Sequence, residues 1–191
     1  MISTPCCRFC STPLGKPMID LGAQPLANNN LKPGDEASER RFPLIVRTCP
    51  ECLLVQADHS VPADAIFTAD YAYFSSYSTS WVAHAKRYQE AMTARFGLGA
   101  GSLVAEVASN DGYLLQHFKA EGIPVLGIEP TGNTAEAAIA KGIPTEVDFF
   151  GVALAEKLVA AGKSADLMAA NNVLAHVPDI RDFVSGFERM L

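Results

Sequence analysis

Leu103-Val104-Ala105-Glu106-Val107-Ala108-Ser109-Asn110-Asp111-Gly112-Tyr113-Leu114-Leu115 is the stretch that decides the fold. In it a short apolar run ends in a tight turn of small residues, and an amphipathic helix follows. The next apolar run, Val125-Leu126-Gly127-Ile128, is followed by an acidic residue, Glu129. An acid after the second strand of a βαβ unit is placed to hold the ribose hydroxyls of a nucleoside. The stretch therefore predicts a parallel sheet that binds a small nucleoside-containing cofactor.

Apolar strands alternate with helical stretches from residue 103 to the end of the chain. We predict strands over 103–108, 124–128, 143–147 and 166–171, and helices over 112–121, 132–141, 151–162 and 179–190. This alternation is typical of a parallel α/β sheet with right-handed crossovers. Two further regions precede it: a turn-rich module over 1–65, and an aromatic, serine-rich segment with a connecting helix over 66–100. The parallel sheet then occupies 101–191.

The composition excludes several classes of protein. The chain has 191 residues with 49% hydrophobic content, which is enough to build a core. A net charge of -6 leaves no basic footprint for nucleic acid. No apolar run approaches the ~20 residues of a membrane span, and we expect no signal peptide, because the first residues lack a basic region followed by an apolar stretch. We therefore expect a cytoplasmic protein whose cysteines serve a metal or catalysis rather than disulfides.

Two C-x-x-C pairs, Cys7/Cys10 and Cys49/Cys52, lie in the turn-rich module. Two such turns supply four thiolates to one tetrahedral ion with no open position, which is the pattern of a structural zinc site. Zinc would provide the folding energy that so small a module lacks. The alternative is that these cysteines are small buried hydrophobes. The fifth cysteine, Cys6, falls outside the pairs and is predicted to be a bystander.

The turn after the first strand is poor in glycine. Only Gly112 remains, which suits pyrophosphate badly and suits S-adenosylmethionine better, because that cofactor has no phosphate and carries a sulfonium cation. Glu106, Asp111 and Glu129 would face its amino acid head, cation and ribose, while Asp148 and Phe149 would bind and stack on the adenine. The alternative is an ordinary βαβ core with acids at the strand ends for solubility.

A series of motifs in a fixed order identifies the family that this chain resembles. Besides the cysteine pairs, it comprises Leu26-Ala27-Asn28, Leu54-Val55-Gln56, Tyr71-Ala72-Tyr73-Phe74-Ser75-Ser76-Tyr77-Ser78, Glu106-Val107-Ala108-Ser109-Asn110-Asp111-Gly112, Gly127-Ile128-Glu129-Pro130 and Asn171-Asn172-Val173-Leu174-Ala175-His176-Val177-Pro178-Asp179. Together they resemble the S-adenosylmethionine-dependent C-methyltransferases that act on nucleotide-linked keto-deoxysugars.

The resemblance implies a zinc-binding module followed by strands 3-2-1-4 of a Rossmann-like methyltransferase sheet. The substrate would be a thymidine-diphosphate 4-keto-deoxysugar, deprotonated beside its ketone and methylated on carbon. By their motifs, Tyr77 and His176 are the catalytic candidates; core packing for Tyr77 and a structural role for His176 are the alternatives. The predicted cofactor-binding residues are Glu106, Ala108, Ser109, Asn110, Asp111, Gly112, Glu129, Pro130, Asp148, Phe149 and Asn171.

The chain departs from this family in ending after the helix that follows the fourth strand. We therefore expect an N-terminal fragment with little turnover of its own. We also expect the apolar edge at 166–171 to pair in a dimer or with a partner chain. The competing hypothesis is a non-catalytic zinc-binding module with a degenerate cofactor-binding domain, which serves interactions.

Overall fold

The structure is a computed structural model that describes residues 5–58 and 61–191 and divides into two units. The first, here called the cysteine unit, consists of Met1–Ile66 and Ala175–Arg181. The second, the parallel-sheet unit, consists of Phe67–Leu174 and Asp182–Leu191. Contacts therefore group the predicted connecting segment, from Phe67 onward, with the parallel sheet. Among the described residues, no helix is both long and apolar enough to cross a bilayer.

The cysteine unit is built on a small antiparallel sheet of order β1-β2-β3. Its elements are β1 (Ile19–Pro25), β2 (Arg41–Thr48), β3 (Val55–Ala57) and the short helix α1 (Ala63–Ile66). The buried cluster beside the sheet is small, with Cys7, Leu14 and Cys49 at its centre. So few buried apolar groups offset little conformational entropy, and a module of this kind needs a further stabiliser.

The parallel-sheet unit follows the predicted alternation of strands and helices. Its elements are α2 (Thr79–Phe96), β4 (Val104–Val107), α3 (Leu115–Ala120), β5 (Val125–Ile128), α4 (Gly132–Ala140), β6 (Thr145–Glu146), α5 (Val152–Ala160), β7 (Leu167–Ala169) and α6 (Ile180–Met190). The four strands pair in parallel in the order β6-β5-β4-β7. This is the predicted order 3-2-1-4, so the α/β fold class is confirmed.

The two central strands hold the core of this unit. All residues of β4 and β5 are buried, because helices cover both faces of a parallel sheet. Leu114, Leu115 and Phe118, from the turn after β4 and from α3, are almost completely buried. Side chains of this size stabilise the fold by roughly 1.5–3 kcal/mol each when fully buried.

The ends of several strands and helices, above all around the turn after β4, differ from the prediction. Helix α3 begins at Leu115 rather than 112, because Ala108, Asn110 and Gly112 adopt φ of 56°, 51° and 76°. Those left-handed conformations end β4 early and delay the helix. The edge strands are also shorter than 143–147 and 166–171. The apolar edge at β7 therefore spans only Leu167–Ala169.

Candidate functional site

The four paired cysteines converge on one point of the cysteine unit. The Sγ atoms of Cys7 and Cys52 are 3.6 Å apart, and those of Cys10 and Cys49 are 3.5 Å apart. All four sulfurs lie within 4.8 Å of one another. A tetrahedral zinc ion with Zn–S bonds of about 2.3 Å places its sulfurs about 3.8 Å apart. The cluster therefore fits zinc, and Cys6 lies outside it, as predicted.

Both C-x-x-C turns use the same backbone device. The N–H of Ser11 donates to the carbonyl of Cys7 at 2.9 Å, and the N–H of Leu53 donates to the carbonyl of Cys49 at 3.1 Å. Ser11 and Leu53, which directly follow the second cysteine of each pair, both have a φ of 63°, in the left-handed region. The left-handed step turns the chain back, so that both cysteines of a pair point to the same side.

The surroundings of the sulfurs favour the thiolate of Cys7 and disfavour that of Cys52. Burial opposes ionisation of Cys7, but hydrogen bonds from the backbone of Cys10 and from Gln56 lower its pKa to about 6. The Leu54 backbone favours the Cys52 thiolate, but burial and the neighbouring thiols outweigh it and raise the Cys52 pKa to about 12. Neighbouring thiolates repel one another. A divalent cation bound between the four sulfurs would offset this repulsion and favour ionisation of all four cysteines.

Glu106 occupies the carboxyl end of central strand β4 and is fully buried. Asn171 Nδ2 donates to its Oε1 at 3.3 Å and to the Tyr113 hydroxyl at 3.0 Å. Glu106 Oε2 has no hydrogen-bond partner among the described residues. Burial raises the Glu106 pKa to about 8. Hydrogen bonds from Tyr113 and Asn171 lower this pKa in part, and the negative charges of Glu129 and Asp111 raise it further. A bound cation, such as an ammonium group, would satisfy this oxygen.

Glu129 follows β5, the neighbouring strand, and is 4% exposed. Its Oε2 accepts from the Asn110 N–H at 2.8 Å, and its Oε1 accepts from the Thr131 N–H at 2.9 Å and the Thr131 hydroxyl at 2.5 Å. Glu129 therefore ties the turn after β4 to the turn after β5. A carboxylate has about four acceptor sites, so a ribose hydroxyl could still donate to it.

Asn110 and Asp111 hold a segment that we call the aromatic strap, residues 69–77. Asn110 Oδ1 accepts from the Ser75 N–H at 2.8 Å, and its Nδ2 donates to the Tyr73 carbonyl at 3.0 Å. Asp111 Oδ1 accepts from the Ser76 N–H at 3.3 Å. These two side chains, which are also predicted to bind the cofactor, hold the strap beside the turn after β4.

Lys141 completes this anchorage and was not singled out from the sequence. Its Nζ lies 3.2 Å from Asp111 Oδ2 and donates to the Asp111 carbonyl at 2.8 Å and to Ser76 Oγ at 3.0 Å. Asn133 holds the other end of the strap. Its Oδ1 accepts from the Tyr71 N–H at 3.1 Å, and its Nδ2 donates to the Tyr71 carbonyl at 2.8 Å. Neither residue lies in a motif, so only the folded chain reveals them.

The other predicted cofactor residues lie at the same edge of the sheet. Ser109 is fully buried, and its hydroxyl has no partner among the described residues. Pro130 directly follows Glu129. Asp148 and Phe149 follow β6 and are exposed, and the Phe149 N–H donates to Asp148 Oδ1 at 2.8 Å. Because the ends of adjacent parallel strands share one edge, the structure brings the turns after β4, β5 and β6 together.

The two catalytic candidates belong to different units. Tyr77 ends the aromatic strap in the parallel-sheet unit, is 82% exposed and stacks on Phe74 at 5.5 Å. Among the described residues, Tyr77 is therefore not part of a buried core. His176 is exposed in a short helical turn, Leu174–His176, and falls in the segment that groups with the cysteine unit.

Comparison with known proteins matches two parts of the chain to two families. Residues 7–67 match the family described as "Putative zinc binding domain", and residues 105–191 match the family described as "Methyltransferase domain". The first match lies in the part of the chain that contains the paired cysteines, and the second lies in the part that contains the parallel sheet. It is also 32% identical to C-methyltransferase NovU of Streptomyces niveus over 186 residues. That alignment covers 97% of this chain and 44% of the relative, so the chain spans less than half of the relative's length.

Solved structures with similar backbones include two methyltransferases. Magnesium protoporphyrin IX methyltransferase (ChlM) from Synechocystis PCC 6803, with bound SAM, has a TM-score of 0.43 at 17% identity, covering 66% of this chain and 63% of that chain. A SAM-dependent methyltransferase from Thiobacillus denitrificans, in complex with S-adenosyl-L-homocysteine, has a TM-score of 0.40 at 16% identity, covering 55% and 44%.

Proposed function

We propose that this chain is the zinc- and cofactor-binding part of an S-adenosylmethionine-dependent C-methyltransferase. The observation that carries the proposal is the 32% identity to a C-methyltransferase along 97% of the chain, because it spans both units. The residues at the sheet edge support it. They supply acids and an exposed aromatic ring, with few glycines to cradle a pyrophosphate.

Each predicted cofactor residue has a definite task in this proposal. Glu106 Oε2 accepts from the ammonium of the amino acid head, which gives the buried carboxylate its missing partner. Glu129 accepts from a ribose hydroxyl while it keeps the two turns joined. Phe149 stacks on the adenine, and Asp148 accepts from its amino group. When bound, the cofactor would supply an electrophilic methyl group on a sulfonium.

For the substrate we propose a nucleotide-linked 4-keto-deoxysugar, such as a thymidine-diphosphate sugar. A C–H bond beside a ketone is acidified, so the reaction needs a base and a donor for the developing enolate oxygen. His176 is our candidate for the base and Tyr77 for the donor. Both side chains are exposed and therefore able to meet a substrate.

Calorimetric titration with S-adenosylmethionine tests the cofactor site. We expect binding by the zinc-loaded chain and at least about tenfold weaker binding by Glu129→Gln, because an amide carries no charge for the hydroxyl donors. Glu136→Gln, which replaces an exposed acid on α4, is the matched control. A folded, zinc-loaded chain that fails to bind would contradict the proposal and favour a non-catalytic interaction module.

Methyl transfer tests the substrate. The zinc-loaded chain is incubated with a radiolabelled methyl donor and a thymidine-diphosphate 4-keto-deoxysugar. Any methylated product, assigned by NMR, is expected to carry the new methyl group on carbon. Methylation on oxygen or nitrogen would refute the assignment to C-methylation.

We further propose that strand β7 accepts another chain, in a dimer or a complex. Among the described strands, β7 pairs only with β4 and forms one end of the sheet order. Such an edge presents backbone donors and acceptors to a partner. Light scattering is the measurement, and a monodisperse monomer at high concentration would rule this proposal out.

A further inference from the structure

Arg8 links the zinc cluster to the segment that contains His176. It lies between two metal ligands, Cys7 and Cys10, and its N–H donates to Gln56 Oε1 at 3.0 Å. The same Gln56 donates through Nε2 to Cys7 Sγ at 3.2 Å and is 4% exposed. The Gln56 side chain therefore links the backbone of Arg8 to the sulfur cluster.

The guanidinium of Arg8 extends to the residues on either side of His176. Its Nη1 donates to the Ala175 carbonyl at 3.3 Å and to the Val177 carbonyl at 3.0 Å. A single charged group thus holds the backbone before and after the histidine. Hydrogen bonds from a charged donor are stronger than those between neutral groups.

A second arginine fastens the far end of the same segment. Arg181 donates through Nε to the Phe9 carbonyl at 2.5 Å, and its guanidinium lies 5.4 Å from the centre of the Phe9 ring. Phe9, like Arg8, lies between two zinc ligands. Ala175–Arg181 is therefore fixed at both ends to one C-x-x-C turn, within one unit.

We propose that the zinc site sets the conformation of Ala175–Arg181, with Arg8 and Arg181 as positioning residues, so that metal occupancy decides whether the His176 segment is ordered. The buried cluster around the sulfurs is small, so a metal ion held by Cys7 and Cys10 would add strongly to the few hydrogen bonds that shape this turn. When the turn opens, both attachment points are lost together. The coupling between zinc binding and the order of Ala175–Arg181 does not depend on the proposed function. Only its importance for catalysis by His176 rests on that function.

Hydrogen–deuterium exchange on the full chain measures this coupling without any assay of methyl transfer. In the zinc-loaded Arg8→Gln variant we expect the backbone of residues 174–181 to exchange about tenfold faster, because the shorter neutral side chain cannot bridge the two carbonyls. Peptides from β4 and β5 should exchange as in the unchanged protein. Arg40→Gln is the matched control, because Arg40 is exposed and lies over the Phe42 ring in the same unit.

Zinc content and chelation complete the experiment. Arg8→Gln should retain the metal content of the unchanged protein, and Arg8→Lys should restore part of the protection. Removal of zinc by a chelator should release 174–181 while β4 and β5 remain protected. Unchanged exchange in zinc-loaded Arg8→Gln would overturn the role of Arg8, and full protection in the metal-free chain would overturn the role of zinc. Both results are independent of cofactor binding.

Discussion

Replacing Glu106 by glutamine should stabilise the parallel-sheet unit by an amount that grows with pH. Burial raises the Glu106 pKa from its ordinary value of 4.5 to about 8. The native state therefore binds this proton more tightly than the unfolded state does. As the pH rises from about 4.5 to 8, unfolding releases the proton and becomes progressively easier.

The size of the effect follows from the difference between the two pKa values of Glu106. At 1.36 kcal/mol per pKa unit, that difference gives a ceiling of about 5 kcal/mol in the free energy of unfolding above pH 8. Glutamine keeps an acceptor and a donor for Asn171 and Tyr113 but does not titrate. The stability of Glu106→Gln minus that of the unchanged chain should therefore rise from near zero at pH 4 towards this ceiling at pH 8.

Trp81 provides the assay, because it is the single tryptophan of the chain. It lies in α2 and stacks at 5.8 Å on Tyr113, the neighbour of Glu106, so its fluorescence follows unfolding of the parallel-sheet unit. Urea titrations at pH 4, 5, 6, 7 and 8 give the free energies. Glu136→Gln removes an exposed acid and should show no such trend. A pH-independent difference, or a less stable Glu106→Gln protein at pH 8, would refute the reasoning.

Three further outcomes are expected from the geometry. Gly127→Ala should destabilise the chain by about 1–3 kcal/mol in the same urea assay, because the new Cβ would lie 2.6 Å from Ser109 Oγ. A stability equal to that of the unchanged protein would show that the Ser109 side chain moves away without cost. Lys141→Met should leave the buried Asp111 carboxylate without its cation and increase hydrogen–deuterium exchange of residues 71–77 severalfold; unchanged exchange would mean that Asn110 and Asn133 hold the strap alone. Cys49→Ser should lower bound zinc, measured by metal analysis, from one ion per chain towards none; full retention, or less than about half an ion in the unchanged protein, would contradict the four-sulfur site.

The sheet and the metal cluster could be predicted because their signals are local. Alternating apolar runs define parallel strands, and two C-x-x-C pairs define a tetrahedral sulfur set whatever the chain between them does. The strand order and the convergence of Cys7, Cys10, Cys49 and Cys52 both agree with the sequence. The ends of elements were less predictable, since nothing in the sequence indicates that Ala108 adopts a left-handed conformation.

The roles of the polar residues in the turn depended on contacts between distant parts of the chain. Asn110 and Asp111 bond to Ser75 and Ser76, which precede them by 35 residues in the sequence. Lys141 joins them from 30 residues downstream of Asp111. A motif shows that such residues belong together, but it does not show whether their side chains face a ligand or another segment. For the same reason Arg8 was not singled out, although it adjoins a predicted zinc ligand.

Leu53 offers a way to improve the protein for handling in solution. It is 72% exposed, and its φ of 63° is a conformation that a leucine adopts at a cost of roughly 1 kcal/mol or more. Asparagine tolerates the left-handed region and presents no apolar surface to water. Leu53→Asn would therefore leave the four sulfurs in place. It would lower the backbone strain in the Cys49–Cys52 turn and remove an exposed apolar side chain. Preparations of this variant should tolerate higher concentrations without precipitating.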